Sequence, residues 1–322
     1  MGTRYIVKIF GLPTGVNPDR IQSTIDEALT AIDRLMSTYR VDSVLSRFNA
    51  SRSIDWVEVA PELVRVVEEA QRVSRVSGGA FDISVGPLVA LWGFGPSSSA
   101  YRIPSSEAIQ AVKARVGYHR IHTRVSPPAL RKDLPGVELD LSAIAPGYAV
   151  DRVAELLDAH RAQGYLVDIG GEQRIKGRKS DGMPWRIGIA SPVEVNPGIR
   201  QTLLLTAGGL ATSGDYRNNF EQGGKRYSHL IDPVSGYPIA HTLASVTVIS
   251  DTAMRADALA TALMVLGPVR GLALAERERL AALFIVREGN GFRDIGTSGF
   301  KRVVELERMP ERSPSSDRGA RL

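Results

Sequence analysis

The apolar positions near the N-terminus change from a strand-like to a helix-like pattern. Residues 5–10 are rich in β-branched and aromatic side chains and predict a strand. Asn17 and Pro18 then form a suitable helix start, and the apolar residues that follow at helical spacing are Ile21, Ile25, Leu29, Ile32 and Met36. A second helix is predicted over residues 61–76, with Gly78 placed to end it. We expect both helices to be scaffold.

Strands and helices continue to alternate along the rest of the chain. Apolar runs predict strands over residues 164–169, 185–190, 202–207, 245–249 and 282–286. Helical spacing predicts helices over residues 148–160, 252–266 and 269–277. This alternation predicts an α+β or mixed α/β sheet protein. We expect one domain over residues 1–308, and then a disordered tail over residues 309–322, which are polar and rich in Pro, Ser and Arg.

The composition is that of a folded protein of enzyme size. Of the 322 residues, 43% are hydrophobic and 23% are charged, which is enough to bury one large core or two smaller ones. No run of about 18 apolar residues predicts a membrane span, and the first residues, MGTRYIVKIFG, lack the pattern of a secretory signal. We therefore expect either a cytoplasmic protein or a chain whose targeting segment has been removed.

The residue types that are missing exclude several kinds of site. The chain has no cysteine, so disulfides, iron–sulfur clusters and cysteine-ligated zinc are excluded, and any metal must be held by oxygen or by the five histidines. The net charge of +5 comes from arginines spread along the chain, without the basic stripe typical of nucleic-acid binding. No Walker loop or GxGxxG fingerprint is present.

Four segments are polar where a plain core would be apolar, and most contain glycine, which lets the backbone approach a ligand closely. In residues 36–49 (MSTYRVDSVLSRFN), Tyr39 could stack on the ring system of a ligand, although a solvated helix exit gives the same pattern. In residues 78–96 (GGAFDISVGPLVALWGFGP), Phe81 and Asp82 lie among glycines, and a structural turn explains this segment nearly as well.

The third segment, residues 138–151 (ELDLSAIAPGYAVD), predicts a strand that carries Asp140, followed by Ser142 and a Pro-Gly turn that opens a helix. Free backbone amides and the helix dipole attract phosphate groups to helix N-termini. The turn is therefore a candidate diphosphate or metal site. A capped helix start is the alternative interpretation.

The fourth segment spans residues 212–239 and 251–267. His229 lies among polar neighbours before an Asp-Pro turn, so it is a candidate base, although a hydrogen-bonded structural histidine is about equally consistent with the pattern. Asp257 and Thr261 are four residues apart, which places a carboxylate and a hydroxyl on one helix face. These hard oxygen ligands suit Mg²⁺, and an Asp on an otherwise apolar helix is costly to bury without such a partner.

Taken together and in this order, these segments resemble the ApbE family of FAD:protein FMN transferases. The resemblance covers residues 1–299, and its most specific pieces are MSTYRVDSVLSRFN, GGAFDISVGPL, LDLSAIAPGYAVD, VDIGGE, ATSGDYRNNF, YSHLIDPVSGYPI and ADALATALMVLG. It implies an ApbE/T-fold-like architecture, with central, mostly antiparallel sheets and packed helices.

The resemblance also implies a role for individual residues. Asp257 and Thr261 match Mg²⁺ ligands, with the backbone carbonyl of Ala143 and, as a further candidate, that of Ala260. His229 matches the proposed catalytic base. The positions that match the FAD site are Met1, Tyr39, Ala80, Phe81, Asp82, Asp140 and Ile231.

Pro146 is a departure from the family pattern, since relatives commonly carry a lysine or another polar residue in this turn. Proline keeps the turn but removes a backbone donor and any polar side-chain contact to the flavin nucleotide.

The activity implied by the resemblance is Mg²⁺-dependent transfer of FMN from FAD to a threonine or serine of an acceptor flavoprotein of the respiratory or electron-transfer type. It also implies action in the periplasm or at the outer face of the cytoplasmic membrane. Two alternatives remain open at this point. Water could replace the acceptor hydroxyl, giving an FAD pyrophosphatase, or the protein could bind FAD without turnover. His229 and the Asp257/Thr261 pair argue against binding alone, because holding FAD requires no base.

Overall fold

The computed structural model describes residues 3–95, 101–193, 197–216 and 218–306. Within these ranges the chain forms a seven-stranded sheet, three smaller sheets and eight helices, and neighbouring strands pair antiparallel. The predicted α+β class with mostly antiparallel sheets is therefore confirmed. Met1 and the predicted tail, residues 309–322, lie outside the described residues.

The helices are α1 Pro18–Met36, α2 Val44–Ala50, α3 Pro61–Val76, α4 Gly86–Leu91, α5 Ser106–Lys113, α6 Ala145–Ala159, α7 Ala253–Arg277 and α8 Ser298–Leu306. The strands are β1 Tyr5–Phe10, β2 Val57–Glu58, β3 Ile121–Val125, β4 Pro128–Lys132, β5 Gly164–Ile169, β6 Glu172–Lys176, β7 Trp185–Ala190, β8 Ile199–Leu205, β9 Ala207–Gly214, β10 Asn219–Gln222, β11 Lys225–Ser228, β12 Leu243–Ser250, β13 Ala281–Glu288 and β14 Gly291–Gly296.

The large sheet is covered on both faces. Its strand order is β1-β5-β6-β9-β12-β13-β14. On β13, Phe284 belongs to the core that the sheet shares with α6 and α7, whereas Leu283 and Ile285 belong to the core that it shares with the β7–β8 hairpin and α8. Because successive strand residues point to opposite faces, a sheet covered on both faces has strands that are apolar throughout. This explains the continuous apolar runs in β5 and β13.

The strand predicted over residues 202–207 is wrong in one respect, because the chain changes sheets within it. β8 ends at Leu205 and pairs with β7, whereas β9 begins at Ala207 and enters the large sheet between β6 and β12. β9 (AGGLATSG) consists mainly of small residues and has weak strand propensity. A Cβ on Gly209 would collide with the backbone of Thr252 and Ala253, so the small residues let α7 lie close to the sheet.

The helices predicted over residues 252–266 and 269–277 form one element, α7, with a break between them. Gly267 has a φ of 77° and Pro268 follows it, so the helical hydrogen-bond pattern is interrupted there. By length and composition alone α7 could cross a membrane, but it packs against β9 and β12, and most of its first half is buried in the core. This helix therefore forms the centre of the helical layer.

The junction of α6 and α7 has no room for a larger residue at Gly147. A Cβ on Gly147 would lie 2.5 Å from the backbone oxygen of Ala253. We expect Gly147→Ala to lower the free energy of unfolding by about 1–3 kcal/mol, as overpacking of a core does. Urea unfolding followed by circular dichroism measures this effect. Gly198→Ala is the control, since a Cβ at that position would have nothing within 4 Å, and it should change stability by less than about 0.5 kcal/mol.

Candidate active site

A cleft of about 320 Å³ opens where α7, the end of β9 and the loop before α6 meet. Most of the predicted site residues line it, namely Tyr39, Ala80, Phe81, Asp82, Asp140, Ala143, His229, Ile231, Asp257 and Thr261. An adjoining cavity of about 630 Å³ shares Thr38, Tyr39 and Ser142 with the cleft. Residues that are up to 222 positions apart in the sequence, from Tyr39 to Thr261, thus surround one space.

Two predicted residues lie elsewhere, and a third is not described. Pro146 lines the adjoining cavity and occupies the first turn of α6, where a missing backbone N–H costs nothing. Ala260 is fully buried and does not line the cleft, and it lies in a continuous stretch of α7, where backbone carbonyls accept from N–H groups four residues later. Met1 lies outside the described residues.

Asp257 and Thr261 lie one turn apart on α7 and both face the cleft. Asp257 Oδ2 accepts a hydrogen bond of 3.0 Å from the backbone N–H of Gly147. The hydroxyls of Thr261 and Ser213 are 2.8 Å apart. The pair is therefore fixed between the N-terminal turn of α6 and strand β9.

Burial raises the pKa of Asp257 well above its usual value, and the negative charges of Glu172 and Asp151 raise it further. The hydrogen bond from Gly147 acts in the opposite direction but does not outweigh them. A buried carboxylate beside two others is costly unless a cation compensates it. The Asp257 carboxylate and the Thr261 hydroxyl are hard oxygen ligands of the kind that suits Mg²⁺, and Ala143, whose carbonyl the family resemblance implies as a further ligand, also lines the cleft.

Carboxylate and imidazole side chains of the described residues would not by themselves hold a cation at Asp257. Among the described residues, no group of three or more His, Asp and Glu side chains is arranged to hold a metal ion. A cation beside Asp257 would therefore depend on a hydroxyl and a backbone carbonyl, and on water or substrate oxygens for its other ligands.

The buried carboxylate of Asp151 has a different role from that of Asp257. Its two oxygens accept hydrogen bonds of 2.9 Å from the backbone N–H groups of Ala253 and Met254, and so cap the N-terminus of α7. Burial nevertheless raises its pKa. Asp151 therefore fixes the start of the helix that carries Asp257, and it does not line the cleft.

The backbone that leads to Ala143 is held from outside the loop. Asn49 accepts from the Leu139 N–H and donates to the Leu139 carbonyl, both at 2.8 Å. The buried ammonium of Lys132 donates to the carbonyls of Phe48, Asn49 and Val137, which holds the end of α2 against the same segment. These contacts fix the start of residues 139–143, which line the cleft with Asp140 and Ala143.

Replacing Asn49 with alanine should therefore disturb the cleft. Loss of two hydrogen bonds to Leu139 should lower stability by about 1–3 kcal/mol and, by freeing the segment that carries Asp140, weaken binding of the FAD that the family resemblance implies. Thermal unfolding and a flavin fluorescence titration measure the two effects. Thr297→Ala is the matched control, because the Thr297 hydroxyl also accepts from a backbone N–H, at 3.0 Å, and donates to a backbone carbonyl, at 2.7 Å, and does not line the cleft, so its loss should lower stability without changing FAD affinity.

Asp82 lines the cleft, but its carboxylate is used within the protein. One oxygen accepts from the backbone N–H and hydroxyl of Ser84, and the other accepts from the Tyr118 N–H at 2.7 Å. Burial raises the pKa of Asp82 in spite of these bonds. The carboxylate therefore shapes the turn that presents Ala80 and Phe81, both of which line the cleft.

His229 follows β11 and meets the residue that precedes β10, at the base of the β10–β11 hairpin. Its Nδ1 lies 2.8 Å from the carbonyl oxygen of Asn218. Because a carbonyl oxygen only accepts, Nδ1 carries the proton, and the lone pair of the neutral ring is on Nε2. The histidine thus has the tautomer of a base that acts through Nε2.

The comparison with known proteins assigns the chain to a family. The model of the ApbE family matches residues 1–284. The chain belongs to the ApbE family. Its ApbE relatives include the FAD:protein FMN transferases of Vibrio cholerae, with 43% identity over 94% of this chain and 90% of that protein, and of Haemophilus influenzae, with 42% identity over 95% and 90%.

Solved structures of ApbE proteins share the fold. The flavin transferase ApbE from Vibrio cholerae matches with a TM-score of 0.86 and 42% identity, over 94% of this chain and 96% of that chain. The apo form of the flavinyl transferase ApbE from Pseudomonas stutzeri matches with a TM-score of 0.86 and 43% identity, over 93% of each chain.

Several polar cleft residues are missing from the site predicted by the ApbE resemblance, among them Thr38, Glu172, Ser213 and Asn218. Signals for these four were present, since Thr38 adjoins Tyr39, Glu172 ends VDIGGE, and the other two lie in ATSGDYRNNF. Asn218 acts through its backbone carbonyl, which no side-chain pattern reveals. Polar residues from strands β6 and β9, and from the loops beside the motif tyrosine and histidine, therefore also shape the cleft.

Proposed function

We propose that this chain transfers FMN from FAD to a threonine or serine hydroxyl of an acceptor protein, in a Mg²⁺-dependent reaction that releases AMP. The observation that carries this proposal is the meeting, in one cleft, of a histidine with a fixed tautomer and the Asp257/Thr261 pair. The relatives named FAD:protein FMN transferase support it.

The shape of the cleft suits a long dinucleotide. The cleft of about 320 Å³ and the cavity of about 630 Å³ share Tyr39 and Ser142 as lining residues, so the two spaces are neighbours along which a long ligand would lie. The Tyr39 ring is 75% exposed and offers a stacking surface for a planar ring. Ala80, Phe81 and Ile231 give the cleft an apolar wall. These residues would bind FAD, and the buried Asp82 would keep the wall in shape.

Asp257, Thr261 and the Ala143 carbonyl are the residues that would hold Mg²⁺. An ion held there would supply positive charge to offset the negative charge of the FAD diphosphate. Gly147 and Ser213 keep Asp257 and Thr261 in place through the hydrogen bonds described above. The protein thereby positions its two side-chain ligands before the substrate arrives.

His229 would act on the acceptor. Its Nε2 accepts the proton of the hydroxyl as the oxygen attacks the phosphorus of the FMN half. The new phosphorus–oxygen bond forms as the bond to the bridging oxygen breaks, and AMP leaves with that oxygen. A threonine hydroxyl is a poor nucleophile until it is held in line and relieved of its proton. The Asn218 carbonyl stabilises the protonated ring that results.

For the acceptor we propose an electron-transfer or respiratory flavoprotein outside the cytoplasmic membrane, on the basis of the family resemblance alone. Covalent flavin in exported fractions of cells that produce this chain, and its loss from cells that lack it, would support that location. Labelling confined to cytoplasmic proteins would contradict it.

The activity is tested by incubating the protein with FAD, Mg²⁺ and an acceptor protein that carries an exposed threonine motif. In-gel flavin fluorescence and intact mass should show covalent FMN on the acceptor, with an equal amount of AMP. Free FMN without labelled acceptor would indicate hydrolysis instead. FAD binding without either product would indicate a flavin-binding protein.

A further inference from the structure

Arg287 and Asp215 form a bidentate ion pair, and Asp215 lies three residues before Asn218, the hydrogen-bond partner of the candidate base. The guanidinium of Arg287, near the end of β13, donates to the two carboxylate oxygens of Asp215 at 2.8 and 2.6 Å. The Asp215 side chain is 12% exposed, so this carboxylate is largely removed from solvent. Parallel N–H···O bonds of this type are among the strongest and most directional in proteins. The pair is therefore well suited to fix the backbone at Asp215.

Asp215 begins the segment that leads from β9 to the histidine's partner. It directly follows β9, and Asn218 lies three residues later. The backbone at Asp215 is held from two further sides, since its N–H donates to the Ala244 carbonyl at 3.2 Å and its carbonyl accepts from Arg226 at 3.0 Å. Arg226 belongs to β11, the strand that ends directly before His229. The contacts of Asp215 thus hold the end of β9 and the β10–β11 hairpin together.

We propose that Arg287 is a positioning residue for the transfer reaction: by holding Asp215, it places the Asn218 carbonyl that fixes the tautomer and orientation of His229. This inference rests on the proposed function for its catalytic consequence. Its structural part, the control of the histidine ring, stands on the contacts alone. Arg287 does not line the cleft that FAD would occupy.

Loss of the guanidinium would have two physical effects. Asp215 would keep a largely buried charge with no bidentate partner, which favours movement of the segment toward water. Movement of Asn218 would remove the acceptor of the Nδ1 proton, so the ring would no longer be confined to the tautomer with its lone pair on Nε2. Among the described residues, Arg226 and His241 also face Asp215, and neither replaces a bidentate donor.

The same chain offers a matched ion pair away from the cleft. Arg200 of β8 donates to Asp294 of β14 at 2.6 Å and to the Phe292 carbonyl at 2.8 Å. Arg287 likewise donates to a carboxylate, that of Asp215, and to a backbone carbonyl, that of Leu243. Neither of the Arg200 contacts involves the β10–β11 hairpin, and Arg200 does not line the cleft. Arg200→Ala therefore reproduces the loss of an arginine pair without the link to His229.

The experiment uses the full-length protein and compares wild type with Arg287→Ala, Arg287→Lys and Arg200→Ala. Transfer of FMN to the acceptor gives kcat and the KM for FAD, and two-dimensional ¹H–¹⁵N spectra of the histidine rings report the tautomer of His229. We expect Arg287→Ala to lower kcat about tenfold or more, since a general base contributes about 10²–10⁴-fold, and to change the KM for FAD by less than about threefold. Its His229 signals should change from one tautomer to a mixture.

The two controls have opposite expectations. Arg287→Lys should recover part of kcat, because it keeps the charge but not the planar fork. Arg200→Ala should leave both kcat and the His229 signals at wild-type values. If Arg287→Ala does not fold, Arg287→Lys and Asp215→Asn test the proposal instead. Both keep a hydrogen-bonding partner at the pair, so we expect a smaller loss of kcat and a smaller change in the His229 signals.

Three results would overturn the proposal: unchanged His229 signals in the Arg287 variants, a kcat within twofold of wild type in Arg287→Ala, or an equal loss in Arg200→Ala. Failure of the proposed function gives a different result. In that case the wild-type protein places no FMN on the acceptor, while the ring spectra, which need no turnover, still decide whether Arg287 controls His229.

Discussion

Replacing His229 with alanine is expected to lower the rate of FMN transfer by about 10²–10⁴-fold, the usual contribution of a general base. The variant should still bind FAD, because Tyr39, Ala80 and Phe81, which would supply the stacking ring and most of the apolar wall, come from other segments of the chain. Measurement of acceptor labelling, together with a flavin fluorescence titration, separates the loss of chemistry from the loss of binding.

His160→Ala is the matched control for this experiment. His160 Nδ1 also lies 2.8 Å from a backbone carbonyl, that of Leu156, but the residue is at the end of α6 and does not line the cleft. Its replacement removes the same kind of ring contact and should leave labelling unchanged. Labelling at the wild-type rate by His229→Ala would show that the base assignment is wrong.

Replacing Asp257 with asparagine should abolish the response of transfer to Mg²⁺ and prevent Mg²⁺ from raising the thermal stability of the protein. The substitution keeps the size of the side chain and an oxygen that can accept from Gly147, but it removes the buried charge that a cation would compensate. Isothermal titration with Mg²⁺, alone and with FAD, and the melting temperature against Mg²⁺ concentration measure this without turnover.

Asp151→Asn provides the comparison for Asp257. Both are buried carboxylates that accept backbone N–H groups, but Asp151 caps α7 and lies outside the cleft. Its replacement leaves one of two cap donors without an acceptor, so it should lower stability by about 0.5–2 kcal/mol and retain the response to Mg²⁺. Equal Mg²⁺ responses in wild type and Asp257→Asn would remove Asp257 from the cation site.

The sequence predicts the elements of this fold where one physical signal dominates. α1 begins at Pro18 after an Asn17 side chain that accepts from Asp19, and it ends at Met36, as the cap and the apolar period predict. β9 is not predicted correctly, because it consists mainly of small residues without a strand pattern, and its Gly209 serves contact with the start of α7. Local sequence patterns therefore identify elements whose own side chains form the core. They fail where contact with another element determines the residues, as contact with α7 does for β9.

The candidate site also has parts that the sequence predicts and parts that it does not. The four-residue spacing of Asp257 and Thr261 places both on one face of a helix, and both line the cleft. The role of Asp82 was not predictable, because its partners Ser84 and Tyr118 are defined by the turn that they form together. The contact between the His229 ring and a backbone carbonyl could not be predicted either, since backbone groups have the same chemistry at every position.

Because α7 is broken at Gly267, the length of the helix after the break does not change the orientation of the site residues before it. Each residue inserted into a continuous helix turns everything after it by about 100°, since there are about 3.6 residues per turn. Asp257 and Thr261 precede Gly267 and are oriented from the capped end, so an insertion after the break leaves both facing the cleft. One insertion between Ala253 and Asp257 would rotate both away. Variation in length among relatives should therefore be found after Gly267 and be absent from the four residues that follow the cap.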